Sequence, residues 1–362
     1  MSAEASRQEQ FSGTSEVRDA HKFDEAKLEA WMHENVRDFA GPLEVRQFKG
    51  GQSNPTYKLI TPKRSYVMRR KPPGLLLKSA HAVDREYKVI TALHAQGFPA
   101  AETFGLCTDE SVIGTWFYIM DCVEGRVIWD GTFPDVPTAD RRAYFNAMND
   151  TMAQLHMYDP AAIGLGDFGK PGNYFARQIG RWSQQYLDDE AAGRVPEMDR
   201  LVEWLPNNIP PGDEVAIVHG DYRCDNMIFH ATEPRVLAVL DWELSTLGHP
   251  LADFSYHLMM YRMPPTGIVG LADANLSELN IPSEREYVDR YCNTVGRNPD
   301  DVNANMDFYV SYNMFRLAAI VHGIRGRVIR GTASNAHAKA SAATVEPLAK
   351  LAWEQALKAG AR

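Results

Sequence analysis

The sequence contains few cysteines, no long apolar run and no excess of basic residues. Its four cysteines are scattered without a C-x-x-C pair, so neither a zinc site nor a disulfide framework is indicated. No apolar run approaches the ~20 residues that a membrane-spanning helix needs, and we expect no membrane partner. The formal net charge of -9 argues against nucleic acid as a partner, because phosphate backbones attract clustered Lys and Arg.

Signals for dinucleotide binding and for export are also absent. No G-x-G-x-x-G sequence opens a βαβ unit, which argues against a dehydrogenase. Residues 1–22 are polar and include acidic side chains, which fits neither a signal nor a transit peptide, so we expect a mobile N-terminal tail and a cytoplasmic protein. With 362 residues and 44% hydrophobic content, the chain is long enough for two domains with their own cores.

Residue types that carry chemistry are concentrated after an H-G-D tripeptide. Asp221 and Asn226 have the spacing of the Asp and Asn in the H-R-D-x-x-x-x-N loop of protein kinases, where the Asp accepts the substrate proton and the Asn binds magnesium. Two short apolar runs, 227–229 and 236–240, predict a hairpin after this loop. The hairpin would bring Asp241 beside Asn226 as a second magnesium ligand.

H-G-D-x-x-x-x-N followed by an apolar strand and D-W-E resembles the aminoglycoside phosphotransferase and choline kinase family, in particular the kinase-like domain fused to acyl-CoA dehydrogenases. The resemblance implies an α+β, protein-kinase-like two-lobed fold, with an antiparallel sheet in a small N-lobe (residues 23–123) and a larger, mainly helical C-lobe (residues 124–362). It implies transfer of the γ-phosphate of ATP, with Mg²⁺, to a hydroxyl of a small molecule. Asp221 would be the proton acceptor, and His219 would order the loop.

The resemblance also identifies a nucleotide loop in the N-lobe. Residues 50–57 match the family's G-G-x-S-N-x-T-Y pattern, in which glycines let backbone N–H groups approach phosphate oxygens. Ser53 is the predicted phosphate contact, and Asn54 belongs to the same loop. The backbone at Asp121 and Val123, after a predicted strand 112–120, would bind the adenine edge, with Met120 facing the pocket.

Arg69 stands where the family has a phosphate-binding lysine. Period two places it on the same face of strand 65–70 as Val67, which would line the adenine pocket. A guanidinium supplies the same charge as the lysine. Lys71 is the alternative phosphate ligand. The non-functional explanation of Arg69 is an exposed charge on an edge strand. Glu86 resembles the helix glutamate that pairs with this cation, although a surface ion pair explains it as well.

Two further aspartates have competing interpretations. Asp167 belongs to a D-F-G sequence, which binds magnesium in protein kinases, but it precedes the H-G-D loop and has a loop composition, so we interpret it as a decoy. Asp253 is a buried buttress of the catalytic loop by resemblance, and the charge of a helix N-terminus explains it equally well.

A predicted helix at residues 306–330 carries Arg316, Arg327 and Arg330 on one face. This stripe favours an anionic acceptor, a hydroxyacyl-CoA or another hydroxy acid, with arginines binding phosphate or carboxylate. The alternative is that these arginines pair with acidic surface residues. An aminoglycoside-type antibiotic kinase and a non-catalytic nucleotide-binding module also stay open, as do the oligomeric state and ATP versus GTP.

Overall fold

The computed structural model describes residues 13–49, 54–72, 82–265, 270–333 and 338–362. The strands in this part are β1 (Thr14–Ser15), β2 (Glu44–Phe48), β3 (Thr56–Ile60), β4 (Ser65–Arg70), β5 (Thr103–Cys107), β6 (Phe117–Asp121), β7 (Ala216–Val218), β8 (Met227–Phe229), β9 (Val236–Val239) and β10 (Thr246–Gly248). The helices are α1 (Glu25–Asn35), α2 (Val83–His94), α3 (Glu110–Ile113), α4 (Thr138–Met157), α5 (Tyr174–Asp188), α6 (Pro196–Trp204), α7 (Pro250–Leu258), α8 (Glu284–Val295), α9 (Pro299–Ile329), α10 (Ala338–Ala342) and α11 (Val345–Lys358). No helix in these ranges is long and apolar enough to cross a membrane.

The chain forms two compact units that each combine distant segments. The first comprises Met1–Val136, Pro160–Phe168 and Arg223–Ser245, and the second comprises Pro137–Asp159, Gly169–Tyr222 and Thr246–Arg362. The domain boundary predicted after residue 123 falls inside the first unit. The hairpin with the predicted metal ligands also belongs to the first unit, whereas Asp221 belongs to the second.

The first unit contains a six-stranded antiparallel sheet in the order β1-β2-β3-β4-β6-β5. Side chains alternate between its two faces. One face packs on α1 in an apolar core that includes Leu28 and Met32 of the helix and Tyr57, Met68 and Ile119 of the sheet. Burial of each such side chain stabilises the fold by roughly 1.5–3 kcal/mol. This face therefore serves the stability of the unit, and a binding site would lie on the opposite face.

Two parts of this sheet differ from the sequence prediction. Thr14–Ser15 lies in the predicted mobile tail but pairs with β2, so the prediction is wrong for these residues. No strand is predicted at β5, and Val112, the predicted start of the next strand, lies in α3. The side chain of Asp109 accepts a hydrogen bond from the amide of Ser111 and so caps α3 in place of a strand.

The second unit is largely helical, and together with the antiparallel sheet of the first unit it confirms the predicted α+β class. Its central element is α9, which contacts α5, α7 and α11. The side chain of Asn298 caps this helix by accepting from the amide of Asp300, and Pro299 occupies the first turn. The helix therefore begins at Pro299 and not at the predicted Met306.

Two of the buried histidines of the second unit, His249 and His257, have strongly lowered pKa values. His257 lies between the carbonyl of Tyr222 (3.2 Å) and the hydroxyl of Tyr287 (2.7 Å), and His249 accepts a hydrogen bond from the amide of Leu251. Burial lowers the pKa of each imidazole from 6.5 to about 4. Because the unfolded chain takes up these protons at higher pH than the folded chain, the contribution of these two groups to stability is fully present above pH 6.5 and is lost as the pH drops toward 4.

We expect the free energy of unfolding to fall by roughly 3 kcal/mol for each of these two histidines across that pH range. His257→Gln should remove its share of the pH dependence, measured by urea unfolding at a series of pH values. The matched control is His33→Gln at an exposed position, which should leave the slope unchanged. The same slope in the His257 variant and in the wild type would contradict the prediction.

Candidate functional site

The face of the sheet opposite the apolar core carries the first group of predicted site residues. Arg69 lies directly opposite Thr56 on β3 and Tyr118 on β6, and Val67 lies opposite Met120. Directly opposed residues of antiparallel strands share a face, so these five side chains belong to one surface. All five line a cavity of about 510 Å³ in the first unit.

The cavity has mainly apolar walls and a volume typical of small-molecule sites. Asp121 and Val123 also line it. The amide of Asp121 donates to the carbonyl of Glu102, and its carboxylate pairs with Arg64. The apolar residues that line it further include Phe48, Ile90, Ala101, Val127, Trp129, Ile228, Val239, Leu240 and Trp242.

Arg69 is the centre of an ion-pair network. Its Nε lies 3.1 Å from Oε2 of Glu86, and its Nη2 lies 2.6 Å from Oδ1 of Asp241 and 3.3 Å from Oε2 of Glu243. Burial acts to lower the pKa of Arg69, but the carboxylates of Glu86 and Asp241 raise it above its ordinary value. Arg69 is therefore a buried cation and not an exposed edge charge, whereas Lys71 packs over an indole ring.

Glu86 is fixed by several partners. Nδ2 of Asn54 donates to its Oε1 (2.9 Å), and the hydroxyl of Tyr118 donates to its Oε2 (3.2 Å). Its side chain is 1% exposed, so the surface-pair interpretation is wrong. Burial raises the pKa of Glu86, and the charge of Arg69 opposes this increase. A carboxylate held in this way keeps the guanidinium in one orientation.

Sequence reasoning missed two members of this network. Tyr118 lies two residues before Met120 on β6, so the same alternation that placed Met120 on the cavity face could have found it. Glu243 was used only as part of the D-W-E pattern. Its contact with Arg69 depends on the turn after β9, which the pattern does not specify.

Asp241 follows the hairpin of β8 and β9. The amide of Leu240 donates to the carbonyl of Asn226 (2.8 Å), and Met227 pairs with Val239, so the predicted hairpin is confirmed. Asp241 and Asn226 both line the cavity. The φ of Asp241 is 65°, a left-handed conformation that Asp and Asn adopt more readily than other residues with a side chain.

The residues around the cavity fit a magnesium nucleotide. Asn226 and Asp241 offer an amide and a carboxylate oxygen, and Mg²⁺ commonly takes only one or two protein ligands with water and phosphate completing its shell. Among the residues that the structure describes, no three or more His, Cys, Asp and Glu side chains form a fuller metal site. Arg69 offers a cation for phosphate oxygens, while apolar walls suit a purine. Ser53 lies outside the described residues.

In the second unit, β7 leads into the loop 219–222, which a buried aspartate supports. Oδ2 of Asp253 accepts from the amide of His219 (2.6 Å), its Oδ1 accepts from the amide of Gly220 (2.8 Å), and Nε2 of His156 lies 3.3 Å from Oδ2. Burial acts to raise the pKa of Asp253, but His156 and His219 bring it below its usual value. These bonds confirm the interpretation of Asp253 as a buttress.

Asp221 is held through both its backbone amide and its side-chain carboxylate. Its amide donates to Nδ1 of the buried His219 (3.2 Å), and its Oδ1 accepts from the hydroxyl of Tyr256 (2.5 Å). Nη2 of Arg316 donates to the carbonyl of Gly220 (2.8 Å). Sequence reasoning missed Tyr256, although its position one helical turn after the buttress aspartate was an available signal.

The three predicted acceptor arginines, two in α9 and Arg330 directly after it, have different environments. Arg316 is half-buried and bonds to the loop, whereas Arg327 and Arg330 are exposed. Both terminal nitrogens of Arg330 pair with Asp189, at 2.6 and 2.9 Å. The alternative of pairing with acidic surface residues therefore holds for Arg330.

Asp167 of the D-F-G sequence lies at the surface of the first unit, whereas Phe168 is buried. The side chain of Asp167 is 78% exposed and pairs with Nζ of Lys88 at 2.5 Å. Arg85 packs its guanidinium over the ring of Phe168 and donates to the carbonyl of the same residue. None of these residues lines the cavity that Asp241 lines.

Comparisons with known proteins agree with this geometry. Residues 44–287 match the model of the phosphotransferase enzyme family. Acyl-CoA dehydrogenase family member 11 of Gallus gallus is 43% identical over 351 residues, which are 94% of this chain and 44% of the relative. The chain thus spans less than half the length of the curated relatives that it matches.

Two solved structures extend the comparison. A candidate aminoglycoside phosphotransferase from Ralstonia eutropha is 49% identical, with a TM-score of 0.84 over 93% of this chain and 99% of that chain. The aminoglycoside phosphotransferase APH(4)-Ia, solved with AMP-PNP and hygromycin B, is 14% identical with a TM-score of 0.59, over 92% of this chain and 100% of that chain, and shows the shared kinase-like fold alone. From the extent of the family match and of the identity to these relatives, the chain belongs to the phosphotransferase enzyme family.

Proposed function

We propose that the protein transfers the γ-phosphate of ATP to a hydroxyl group of a small anionic molecule, a hydroxyacyl-CoA or another hydroxy acid. The observation that carries the proposal is the cavity of the first unit, which combines apolar walls with the Arg69–Glu86 pair and with Asn226 and Asp241. Phosphoryl transfer needs positioned charge more than covalent assistance, and this is what the residues supply.

The residues of the first unit would bind the nucleotide. Val67 and Met120 would contact the adenine ring, and the backbone at Asp121 and Val123 would bind its polar edge. Arg69 would bind the phosphates, held in place by Glu86 and Asn54. Asn226 and Asp241 would hold Mg²⁺, which when bound neutralises charge on the phosphate oxygens.

Asp221 would act on the acceptor. In the transfer step, the acceptor oxygen forms a bond to the γ-phosphorus while the bond from that phosphorus to the bridging oxygen of ADP breaks. The proton of the hydroxyl passes to the carboxylate of Asp221. His219 would hold the peptide of Asp221 through its ring nitrogen and take no part in proton transfer.

Two observations support an anionic acceptor over a polycationic antibiotic. The guanidinium of Arg316 lies against Gly220, so a positive charge accompanies the proposed base. The relatives are longer proteins named as acyl-CoA dehydrogenase family members, and an acyl-CoA carries several phosphate groups. A non-catalytic module is less well supported, because Asp221, Asn226 and Asp241 are all present.

The acceptor class can be tested with purified protein, ATP and Mg²⁺. We expect medium-chain hydroxyacyl-CoAs, supplied with the hydroxyl at successive carbons, to be phosphorylated faster than kanamycin by roughly tenfold or more. The reaction is followed by ADP release and by the mass of the product. The Asp221→Asn variant is the control, since ADP release that depends on this site should be lost in it. Phosphorylation of kanamycin without any of the acyl-CoAs would refute the acceptor class, and nucleotide binding without transfer to any compound would favour the non-catalytic alternative.

A further inference from the structure

The loop that carries Asp221 is supported from two helices of the second unit. From α7, Asp253 accepts hydrogen bonds from the amides of His219 and Gly220. From α9, Arg316 donates to the carbonyl of Gly220. These bonds fix the backbone just before Asp221, but they leave the rotation of its carboxylate undetermined.

Tyr256 and Arg316 extend the support to the carboxylate. The hydroxyl of Tyr256 donates to Oδ1 of Asp221 at 2.5 Å, and a hydrogen bond from a hydroxyl to a carboxylate is short and strong. The guanidinium carbon of Arg316 lies 5.2 Å from the centre of the Tyr256 ring, within the range of a cation–π contact. Arg316 therefore contacts both the peptide before Asp221 and the ring whose hydroxyl binds its side chain.

We propose that Tyr256 and Arg316 are positioning residues that hold the Asp221 carboxylate in the orientation needed to take the proton of the acceptor. This inference rests on the proposed phosphotransfer. The hydroxyl of Tyr256 keeps its own proton and serves only as a donor. Arg316 acts through Gly220 and Tyr256, whereas Arg327 of the same helix and Arg330 directly after it are exposed.

The expected loss of kcat follows from the geometry of proton transfer. A base works when its oxygen lies within hydrogen-bond reach of the proton, and a misplacement of about 1 Å costs on the order of a hundredfold in rate. Loss of the Tyr256 hydroxyl removes a short hydrogen bond that restrains the carboxylate, without changing the cavity of the first unit. The effect should therefore fall on kcat and not on the affinity for ATP.

Tyr256→Phe is the central test, because it removes one hydroxyl and keeps the ring beside Arg316. With the hydroxyacyl-CoA that the wild type uses fastest, we expect kcat to fall by roughly tenfold to a hundredfold, while the KM values for ATP and acceptor change by less than about twofold. Arg316→Lys, which keeps the charge but loses the planar guanidinium, should lower kcat by a smaller factor. The double variant should lose less than the product of the two single effects, because the two side chains act as one unit.

Tyr261→Phe is the matched control. Tyr261 is also a buried tyrosine of the second unit, and within the described part of the chain its hydroxyl makes no hydrogen bond. Its loss of a hydroxyl should leave kcat within about twofold of the wild type. The melting temperatures of both variants show whether the fold is intact.

The outcomes separate this inference from the proposed function. A Tyr256→Phe protein with kcat within about twofold of the wild type, or an equal loss of kcat in Tyr261→Phe, overturns the positioning role while the phosphotransfer stands. A wild-type protein that phosphorylates no compound of the panel overturns the proposed function, and the positioning role with it.

Discussion

Asp221→Asn is expected to lower turnover by roughly 10²- to 10⁴-fold while the affinity for ATP stays within about twofold of the wild type. The amide keeps the size of the side chain and an oxygen that accepts the hydrogen bond of Tyr256, so the loop should retain its conformation. It cannot take the proton of the acceptor at neutral pH. Steady-state kinetics with the preferred acceptor and calorimetric titration with ATP measure the two quantities.

Asp253→Asn is the comparison variant for this experiment. Asp253 is buried and accepts hydrogen bonds from two loop amides, so its replacement should lower the melting temperature as well as turnover. Asp221→Asn should lower turnover alone. If Asp221→Asn retained turnover within about threefold of the wild type, Asp221 would not be the proton acceptor.

Asp241→Asn is expected to weaken ATP binding in the presence of Mg²⁺ by roughly tenfold to a hundredfold, because one charged ligand oxygen is lost. Asn is the informative substitution, since it tolerates the left-handed backbone of Asp241 that an alanine would strain. When EDTA removes the metal, the effect of this substitution on ATP affinity should be reversed or absent. Arg69 loses a carboxylate partner, so ATP without metal should bind as well as or better than in the wild type.

Asp167→Asn is the control in the same unit. It changes the same residue type in the D-F-G sequence, where the side chain is exposed and its ion pair with Lys88 is worth little because it lies in solvent. Calorimetry should show wild-type dependence of ATP affinity on Mg²⁺. If Asp167→Asn lost the dependence of ATP affinity on Mg²⁺ while Asp241→Asn kept it, the magnesium ligand would be Asp167 and not Asp241.

The site residues that could be predicted from the sequence are those whose positions depend on spacing within one short segment. The hairpin between Asn226 and Asp241 was predictable because two apolar runs with a short polar connection have few alternatives. The bounds of β4 agree with the prediction, and its alternation placed Val67 and Arg69 together on the cavity face. The loop 219–222 was found by the same local reasoning.

The contacts that the sequence did not predict join distant segments. Tyr256 reaches Asp221 across 35 positions of sequence, and Arg330 reaches Asp189 across 141. No periodicity encodes such pairs, because they depend on how helices pack and not on the pattern within one helix. The segmented make-up of the first unit has the same cause, since residues 223–245 return to it from a distant part of the chain.

The two faces of the sheet limit how the first unit can change by insertion or deletion. Arg69 and Val67 alternate along β4 with Met68 and Tyr66, which belong to the apolar core. A shift of β4 by one residue would turn Arg69 into the core and Met68 toward the cavity. A gain or loss of one residue within β4 would therefore remove both packing and binding at once, whereas substitutions on the cavity face can alter binding while the core stays the same.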